Sequence, residues 1–183
     1  MKSLLIYSST DGQTKKICEV IKGSSISKDS FELFSIDEAF KINLSDYDQI
    51  IIGASIRYGK HISKIYKYIE TNKKILELKK NAFFSVNVVA RKKEKSTPET
   101  NPYVKKFLIK SKWQPMKVGV FAGKVDYPNL NFFNKIIIKM IMDIPMEEDG
   151  QNPEGRLTIV VVVFESTRNL NKNYRQGKNI QSQ

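Results

Sequence analysis

The stretch L-L-I-Y-S-S-T-D-G-Q-T at residues 4–14 decides the fold. Its apolar first part predicts a short buried strand, and its polar, glycine-containing second part predicts a tight loop. Ile17, Val20 and Ile21 then recur at helical spacing. A strand, a loop and a helix in this order form the first unit of an α/β fold.

Apolar runs further along the chain predict four more strands, and helical spacing predicts helices at 62–79 and around 103–108. The segment between the second and third strands is too short to predict a helix. Strands that alternate with helices predict a doubly wound, five-stranded parallel sheet with helices on both faces. The four further strands are placed at 31–36, 49–54, 82–90 and 117–123.

In such a sheet, ligands bind outside the carboxyl ends of the strands. The first loop combines hydroxyl residues and a glycine at a helix N-terminus, where backbone amides and the helix dipole favour a phosphate. It lacks both the Gly-Lys-Ser/Thr of an ATPase loop and the GxGxxG of a dinucleotide site. The alternative interpretation is a simple helix cap by Ser9, Thr10 or Asp11.

Two further loops follow buried strands. G-A-S-I-R-Y-G at 53–59 sets an aromatic ring between small residues, and S-V-N-V-V-A-R-K at 85–92 supplies amides, Asn87 and two cations. Hydroxyls for a phosphate, an aromatic face and amides for a polar edge suit a planar, phosphorylated cofactor.

Composition narrows the choice of partners. The chain has 183 residues, the size of one domain, and its 31 Lys plus Arg against 19 Asp plus Glu give a net charge of +12. Such a surface favours anionic partners.

One cysteine, Cys18, and one histidine, His61, exclude a disulfide framework and a His- or Cys-rich metal site, and we predict no metal. No signal peptide or membrane-spanning run is evident, so we expect a protein on the cytoplasmic side.

With T-P-E-T-N at 97–101, these three loops resemble the flavodoxin-like protoporphyrinogen oxidases, the menaquinone-dependent protoporphyrinogen IX dehydrogenases of haem biosynthesis. The resemblance covers roughly residues 1–143. It implies non-covalent FMN at the carboxyl edge of the sheet and dehydrogenation of protoporphyrinogen IX in successive two-electron steps. It also implies delivery of the electrons to a membrane quinone, menaquinone or ubiquinone.

The resemblance also implies which residues bind the cofactor. It assigns no acid or base, because the chemistry centres on the flavin, and the candidates for a catalytic role are Tyr58, Arg57 and Arg91. Tyr58 is the expected ring contact, and an ordinary surface tyrosine is the alternative. The residues expected around the phosphate are Ser9, Thr10, Asp11, Gly12, Gln13 and Thr14. Those expected along the flavin ring are Ser55, Arg57, Tyr58, Gly59, Ser85, Val86, Asn87, Val88 and Ala90.

Basic residues beside the predicted site suit the two propionates of the substrate, whereas most other lysines are simply solvated. The positive charge also suits anionic lipid around the quinone pool, which predicts a peripheral protein on the cell membrane. The sequence leaves the oligomeric state open. The basic residues in question are Arg57, Arg91, Lys92 and Lys93.

The C-terminal part departs from the family. We predict a flavodoxin-like FMN-binding domain at 1–164, with a helical insertion at about 124–155, and a polar, disordered tail at 165–183. An apolar stripe at 131–144 predicts a helix that either packs in the core or lies on a membrane surface. The family closes with a short strand and an amphipathic helix, and nothing in the tail could cover a sheet face.

Two other functions stay open on the sequence. A flavodoxin-type electron carrier shares the fold, but such carriers are usually acidic. A nucleic-acid-binding module suits the charge, but the chain has no interleaved aromatic and basic motif, so we predict no nucleic-acid partner. His61 lies beside the second loop and is predicted to be a surface residue at a helix start, with substrate contact as the alternative.

Overall fold

A computed structural model describes residues 1–23 and 30–122, and the backbone of 165–166. Strands and helices alternate along the described chain. The strands are β1 (Lys2–Ser8), β2 (Ser30–Ser35), β3 (Gln49–Ser55), β4 (Lys80–Asn87), β5 (Lys117–Ala122) and β6 (Glu165–Ser166). The α-helices are α1 (Gln13–Gly23), α2 (Ile36–Ala39), α3 (Ser63–Leu78) and α4 (Pro102–Ser111). Short 3₁₀ segments span Leu44–Asp46, Val88–Arg91 and Lys93–Lys95.

The sheet has the strand order β2-β1-β3-β4-β5-β6, with β1 to β5 parallel and β6 antiparallel to β5. The order reverses at β1, because β2 lies on one side of it and β3 on the other. The crevice outside the carboxyl ends of β1 and β3 is therefore the position at which this topology binds ligands. Ser8 and Ala54 are register partners at that point.

Helices cover both faces of the sheet. The crossovers β1-α1-β2 and β3-α3-β4 run in opposite directions, and because both are right-handed their helices lie on opposite faces. On the α3 and α4 side, the rings of Phe83 and Phe107 stack with centroids 3.7 Å apart, and Trp113 meets both edge-on. These three side chains are fully buried and join β4 to α4.

The central strands are packed too closely to accept side chains everywhere. Gly53 of β3 lies against the ring of Phe84 of β4, and a Cβ atom built on Gly53 would lie 2.1 Å from that ring. The glycine is needed for this close approach of strand and ring. Because Gly53 has no side chain, the Phe84 ring can occupy this place directly below the crevice.

The five-stranded parallel sheet predicted from the sequence is confirmed. The predicted end of the fourth strand at Ala90 is wrong, because the strand ends at Asn87 and the chain turns into the 3₁₀ segment Val88–Arg91. The segment after β2 does form a helix, α2, whose capping box pairs Ser35 with Glu38.

Part of the C-terminal region can be compared with its prediction. Glu165 and Ser166, the first residues of the predicted disordered tail, pair with β5. The predicted insertion at 124–155, the helix at 131–144 and the rest of the tail lie outside the described residues. Within the part of the chain that the structure describes, no helix is long and apolar enough to cross a membrane.

Candidate functional site

Three loops meet at the carboxyl edge of the sheet, and we number them in chain order. Loop 1 (9–12) joins β1 to α1, loop 2 (56–62) joins β3 to α3, and loop 3 (88–101) joins β4 to α4. Since β1, β3 and β4 are adjacent parallel strands, their carboxyl ends and these loops lie side by side.

Loop 1 and the start of α1 carry buried polar atoms without partners. Ser9 Oγ, Gln13 Oε1 and Thr14 Oγ1 are three of six such side-chain atoms within the described residues. A buried polar atom without a hydrogen bond costs about 1–3 kcal/mol, so two hydroxyls and one amide oxygen close together in the chain indicate a polar ligand. Gly12 has a φ of 79°, which turns the chain into α1, where the first amides point toward the loop.

An ion pair joins loop 1 to loop 2. Arg57 Nη1 lies 2.9 Å from Asp11 Oδ1, and both side chains are largely exposed. The pair offsets the negative charge of Asp11, which would otherwise oppose a phosphate in the same loop. Thr10 is exposed beside it.

Loop 2 ends in a tight turn that raises one aromatic ring into solvent. Arg57 and Lys60 exchange backbone hydrogen bonds, and the two residues between them have φ values of 49° (Tyr58) and 73° (Gly59). Two positive φ values in succession are typical of a type I′ turn. Tyr58 is 86% exposed, and the Arg57 guanidinium lies 5.2 Å from the centroid of its ring at the carboxyl edge. Below the turn, the Ser55 hydroxyl donates to the Ser8 carbonyl and ties β3 to β1.

The end of β4 and the turn that follows it are more deeply buried than the sequence suggests. Asn87 Oδ1 accepts a hydrogen bond from the amide of Ala90, and this cap bends the chain into the 3₁₀ segment after β4. Of the residues predicted to line a flavin ring here, only Val88 is exposed, at 65%. Arg91 is exposed beside it. The others, Ser85, Val86, Asn87 and Ala90, have buried side chains, so only their backbone groups could reach a ligand.

The prediction that His61 is a surface residue is wrong. His61 is 3% exposed, its ring packs edge-on against Phe83 and Phe107, and its Nε2 lies 3.1 Å from Ser85 Oγ. Burial lowers the pKa of His61 to about 4, so the ring is neutral near pH 7. His61 is therefore part of the support beneath the loops.

Asn101, the last residue of the T-P-E-T-N stretch, has a structural role that the sequence did not predict. It is fully buried, caps α4 through Oδ1, and donates through Nδ2 to Asn87 Oδ1 and to the Lys95 carbonyl. The sequence held a signal for the cap, since asparagine followed by proline is typical of a helix start. It held none for the bond to Asn87, because that bond depends on how loop 3 folds back onto the end of β4.

The arrangement supports binding of a planar, phosphorylated molecule. Unpartnered hydroxyls lie at one end, an exposed aromatic ring lies in the middle, and the turn of loop 3 lies at the other end. Among the described residues no group of His, Cys, Asp and Glu could hold a metal ion. Buried oxygens without partners at a helix N-terminus fit the phosphate of FMN.

Comparison with known proteins places the chain in a family. The flavodoxin domain family matches residues 4–152. A protoporphyrinogen IX dehydrogenase (quinone) of Leishmania major is 39% identical over 84% of this chain and 67% of its own length. The protein of that name from Escherichia coli strain K12 is 36% identical over 93% of this chain and 92% of its own length.

Solved structures agree on the fold. Oxidised flavodoxin 1 of Bacillus cereus matches with a TM-score of 0.56 and 16% identity, over 79% of this chain and all of the flavodoxin. The two-electron reduced flavodoxin of Megasphaera elsdenii matches with a TM-score of 0.53 and 12% identity, over 75% of this chain and 98% of its own. At this identity the likeness concerns the fold alone.

Proposed function

We propose that this chain, which belongs to the flavodoxin-domain family of protoporphyrinogen IX dehydrogenases (quinone), oxidises protoporphyrinogen IX to protoporphyrin IX. It is an oxidoreductase that uses FMN and passes the electrons to a quinone. A flavodoxin-type electron carrier is not favoured, since both curated relatives are dehydrogenases that match most of the chain.

The unpartnered buried hydroxyls of loop 1 carry the proposal for the cofactor. Ser9 Oγ and Thr14 Oγ1 would donate to the FMN phosphate, together with the first amides of α1. Rotation of the Gln13 amide would bring its nitrogen to the same place as a further donor. Tyr58 would cover the flavin ring from loop 2, and the backbone of loop 3 would meet its polar edge.

FMN, when bound, supplies the acceptor for two electrons at a time. The residues of this chain hold both molecules and keep their reacting edges together. The one histidine of the chain is neutral and buried below the site, and no contact among the described residues gives an acid or base role to the unpartnered carboxylate oxygen of Glu99 in loop 3. The proposed function therefore relies on binding and orientation of FMN and substrate.

The substrate carries two propionates, and loop 3 offers cations to meet them. Arg91, Lys92 and Lys93 are exposed and form no ion pair with a described residue, whereas Arg57 is engaged by Asp11. Of the four cations expected to bind propionates, the three in loop 3 are therefore the better candidates. The net charge of +12 supports a peripheral position on an anionic membrane, beside the quinone.

Reconstitution tests the function directly. The purified protein is loaded with FMN, and porphyrin fluorescence is followed anaerobically after addition of protoporphyrinogen IX and a soluble quinone. Fluorescence that grows only with both FMN and quinone is the expected result. Tight FMN binding without turnover would contradict the dehydrogenase and support an electron carrier, and failure to bind FMN would contradict both.

A substitution in loop 1 tests the phosphate site. Thr14→Val removes the buried hydroxyl and keeps the shape, so we expect FMN to bind about tenfold more weakly. Riboflavin, which lacks the phosphate, should bind the variant and the wild type equally. Thr71→Val on the exposed side of α3 is the matched control and should leave both affinities unchanged. Equal loss for FMN and riboflavin would contradict the assignment.

A further inference from the structure

Four buried polar side chains form a continuous chain of hydrogen bonds below the site. His61, Ser85, Asn87 and Asn101 are each no more than 3% exposed. His61 Nε2 lies 3.1 Å from Ser85 Oγ, which accepts a hydrogen bond from Asn87 Nδ2 at 3.2 Å. Asn87 Oδ1 in turn accepts from Asn101 Nδ2 at 3.1 Å. We name these four residues the buried relay.

The chemistry of the amides sets the direction of two of these bonds. An amide nitrogen only donates, so Ser85 Oγ accepts from Asn87, and Asn87 Oδ1 accepts from Asn101. The direction of the bond between His61 Nε2 and Ser85 Oγ depends on the tautomer of His61. The imidazole ring is neutral near pH 7, because burial lowers the pKa of His61.

Asn101 uses all of its amide atoms in this structure. Its Nδ2 donates to Asn87 Oδ1 and, at 2.8 Å, to the carbonyl of Lys95, while its Oδ1 accepts from the amides of Tyr103 and Val104. One side chain therefore joins the end of β4, the cationic part of loop 3 and the start of α4.

The buried relay fastens loop 3 at both of its ends. Asn87 holds the turn Val88–Arg91 through the amide of Ala90, and Asn101 holds Lys95. Between these two points the chain is exposed and rich in cations, at Arg91, Lys92 and Lys93. His61 connects the same chain of bonds to loop 2, three residues after Tyr58.

The geometry points to the buried relay as a set of positioning residues that order the cationic segment 91–95 for the anionic tetrapyrrole and tie it to the Tyr58 turn. This assignment rests on the proposed function for its substrate. The segment would otherwise carry long, mobile side chains whose ordering costs free energy at each binding event. None of the four residues needs to touch the substrate.

Asn101→Asp removes hydrogen bonds of the buried relay and keeps the cap of α4. Aspartate caps a helix as well as asparagine does, so α4 keeps its N-terminus. The carboxylate, however, faces two acceptors, Asn87 Oδ1 and the Lys95 carbonyl, to which it has no proton to donate. Asn43→Asp is the matched control, because Asn43 caps the 3₁₀ segment Leu44–Asp46 at the opposite end of the sheet. If the buried charge prevents folding, Asn101→Ser retains a cap and removes the same donors.

Limited trypsin digestion of the FMN-loaded protein measures how well the segment 91–95 is ordered, without any assay of activity. We expect cleavage after the basic residues of 91–95, which are Arg91, Lys92, Lys93 and Lys95, to be about tenfold faster in Asn101→Asp, with cleavage elsewhere unchanged. The Asn43→Asp control should be cut at the wild-type rate. Unchanged cleavage at 91–95 in the folded variant would overturn the ordering role.

Steady-state kinetics test the substrate role. The KM for protoporphyrinogen IX should rise about tenfold in Asn101→Asp, while kcat, the KM for quinone and the FMN dissociation constant change by less than about twofold. His61→Phe, which removes the hydrogen-bond partner of Ser85, should also raise the KM, and His61→Gln, which keeps a hydrogen-bond partner there, should leave the KM near the wild-type value.

The outcomes separate this inference from the proposed function. No turnover by the wild type would overturn the function and the substrate assignment together. Turnover with a normal KM in both Asn101→Asp and His61→Phe would overturn the inference and leave the function standing. A parallel fall in kcat and in FMN affinity would also overturn it, since that result indicates general damage to the site.

Discussion

Tyr58 combines a strained backbone conformation with an exposed aromatic ring, and neither property stabilises the fold. Its backbone has a φ of 49°, a conformation that costs an L-residue with a Cβ roughly 1–2 kcal/mol, and its ring is 86% exposed. Strain that persists beside a ligand crevice is a common mark of a functional position. We infer that the turn stores this strain in order to present the ring.

Tyr58→Gly tests whether this residue lowers the stability of the fold and strengthens FMN binding. Glycine adopts a positive φ freely, so we expect the cofactor-free variant to gain about 1 kcal/mol in the free energy of unfolding. The lost ring contact should weaken FMN binding about tenfold. Urea denaturation and fluorescence titration with FMN measure the two effects. Tyr58→Phe keeps the ring and should bind FMN like the wild type; a loss of affinity in that variant would point to the hydroxyl instead.

His61 couples stability to pH through its burial. Its pKa is lowered to about 4 in the folded protein by burial, whereas an exposed histidine in the unfolded chain has a pKa near 6.5. Between these values the unfolded state binds more protons than the folded state. Stability is therefore fully present above about pH 6.5 and is lost as the pH falls toward 4.

Urea denaturation at pH 7 and pH 5 measures this linkage. We expect the wild type to lose about 2 kcal/mol over this interval from His61 alone. The chain has no other histidine, so the change is readily assigned. Glutamine is neutral at both pH values, so the loss in the free energy of unfolding should be about 2 kcal/mol smaller in His61→Gln than in the wild type. Equal losses in the two proteins would mean that the ring is protonated or solvated in the folded state.

At the scale of elements, the contact between β3 and β4 sets the floor of the crevice. Gly53 faces the ring of Phe84, and Phe84 also meets Phe121 of β5 edge-on. Three adjacent strands are thus packed through one ring. The strand ends that carry loops 2 and 3 keep their spacing because this layer leaves no room for an added methyl group.

Gly53→Ala should disturb this layer. A Cβ would lie 2.1 Å from Phe84, so the ring or the strand must shift, and we expect a loss of about 1–3 kcal/mol in the free energy of unfolding. FMN affinity should fall as well, because both loops move. Gly23→Ala at the end of α1 is the matched control, since nothing lies within 4 Å of its added Cβ. Thermal denaturation of both variants decides the point, and equal stability would mean that Phe84 moves aside without cost.

At the scale of the whole molecule, charge is the dominant feature. A net charge of +12 on 183 residues creates a long-range field that favours anionic surfaces. Loop 3 and the exposed side of α4 carry many of the described cations, including Lys92, Lys93, Lys105 and Lys106. The proposed peripheral position on the membrane follows from this field and needs no spanning helix.

Co-sedimentation with lipid vesicles tests the membrane proposal. We expect binding to vesicles that contain phosphatidylglycerol and little binding to vesicles of phosphatidylcholine alone. Raising the ionic strength from about 0.1 M to 1 M shortens the Debye length to about 3 Å and should release the protein. Binding that survives high salt would indicate insertion of apolar residues instead of attraction between charges.

Much of this molecule could be predicted from local patterns. The strand–loop–helix unit at 4–21 and the strands at 49–54 and 117–123 could be predicted because period and composition are local properties. The end of β4 was not, because V-N-V-V-A reads as a continuous strand. Asn87 bends that run by accepting from Ala90, and this bond competes with the strand only in the folded structure.

The fold class, the three loops at the carboxyl edge and the hydroxyl-rich composition of the first loop could be predicted from the sequence, since each depends on neighbours in the chain. The burial of His61, the ion pair of Asp11 with Arg57 and the bond of Asn101 to Asn87 are visible only in the folded structure. These contacts join residues 14 to 46 positions apart. Their partners are chosen by the packing of parallel strands side by side, and no local pattern encodes that choice.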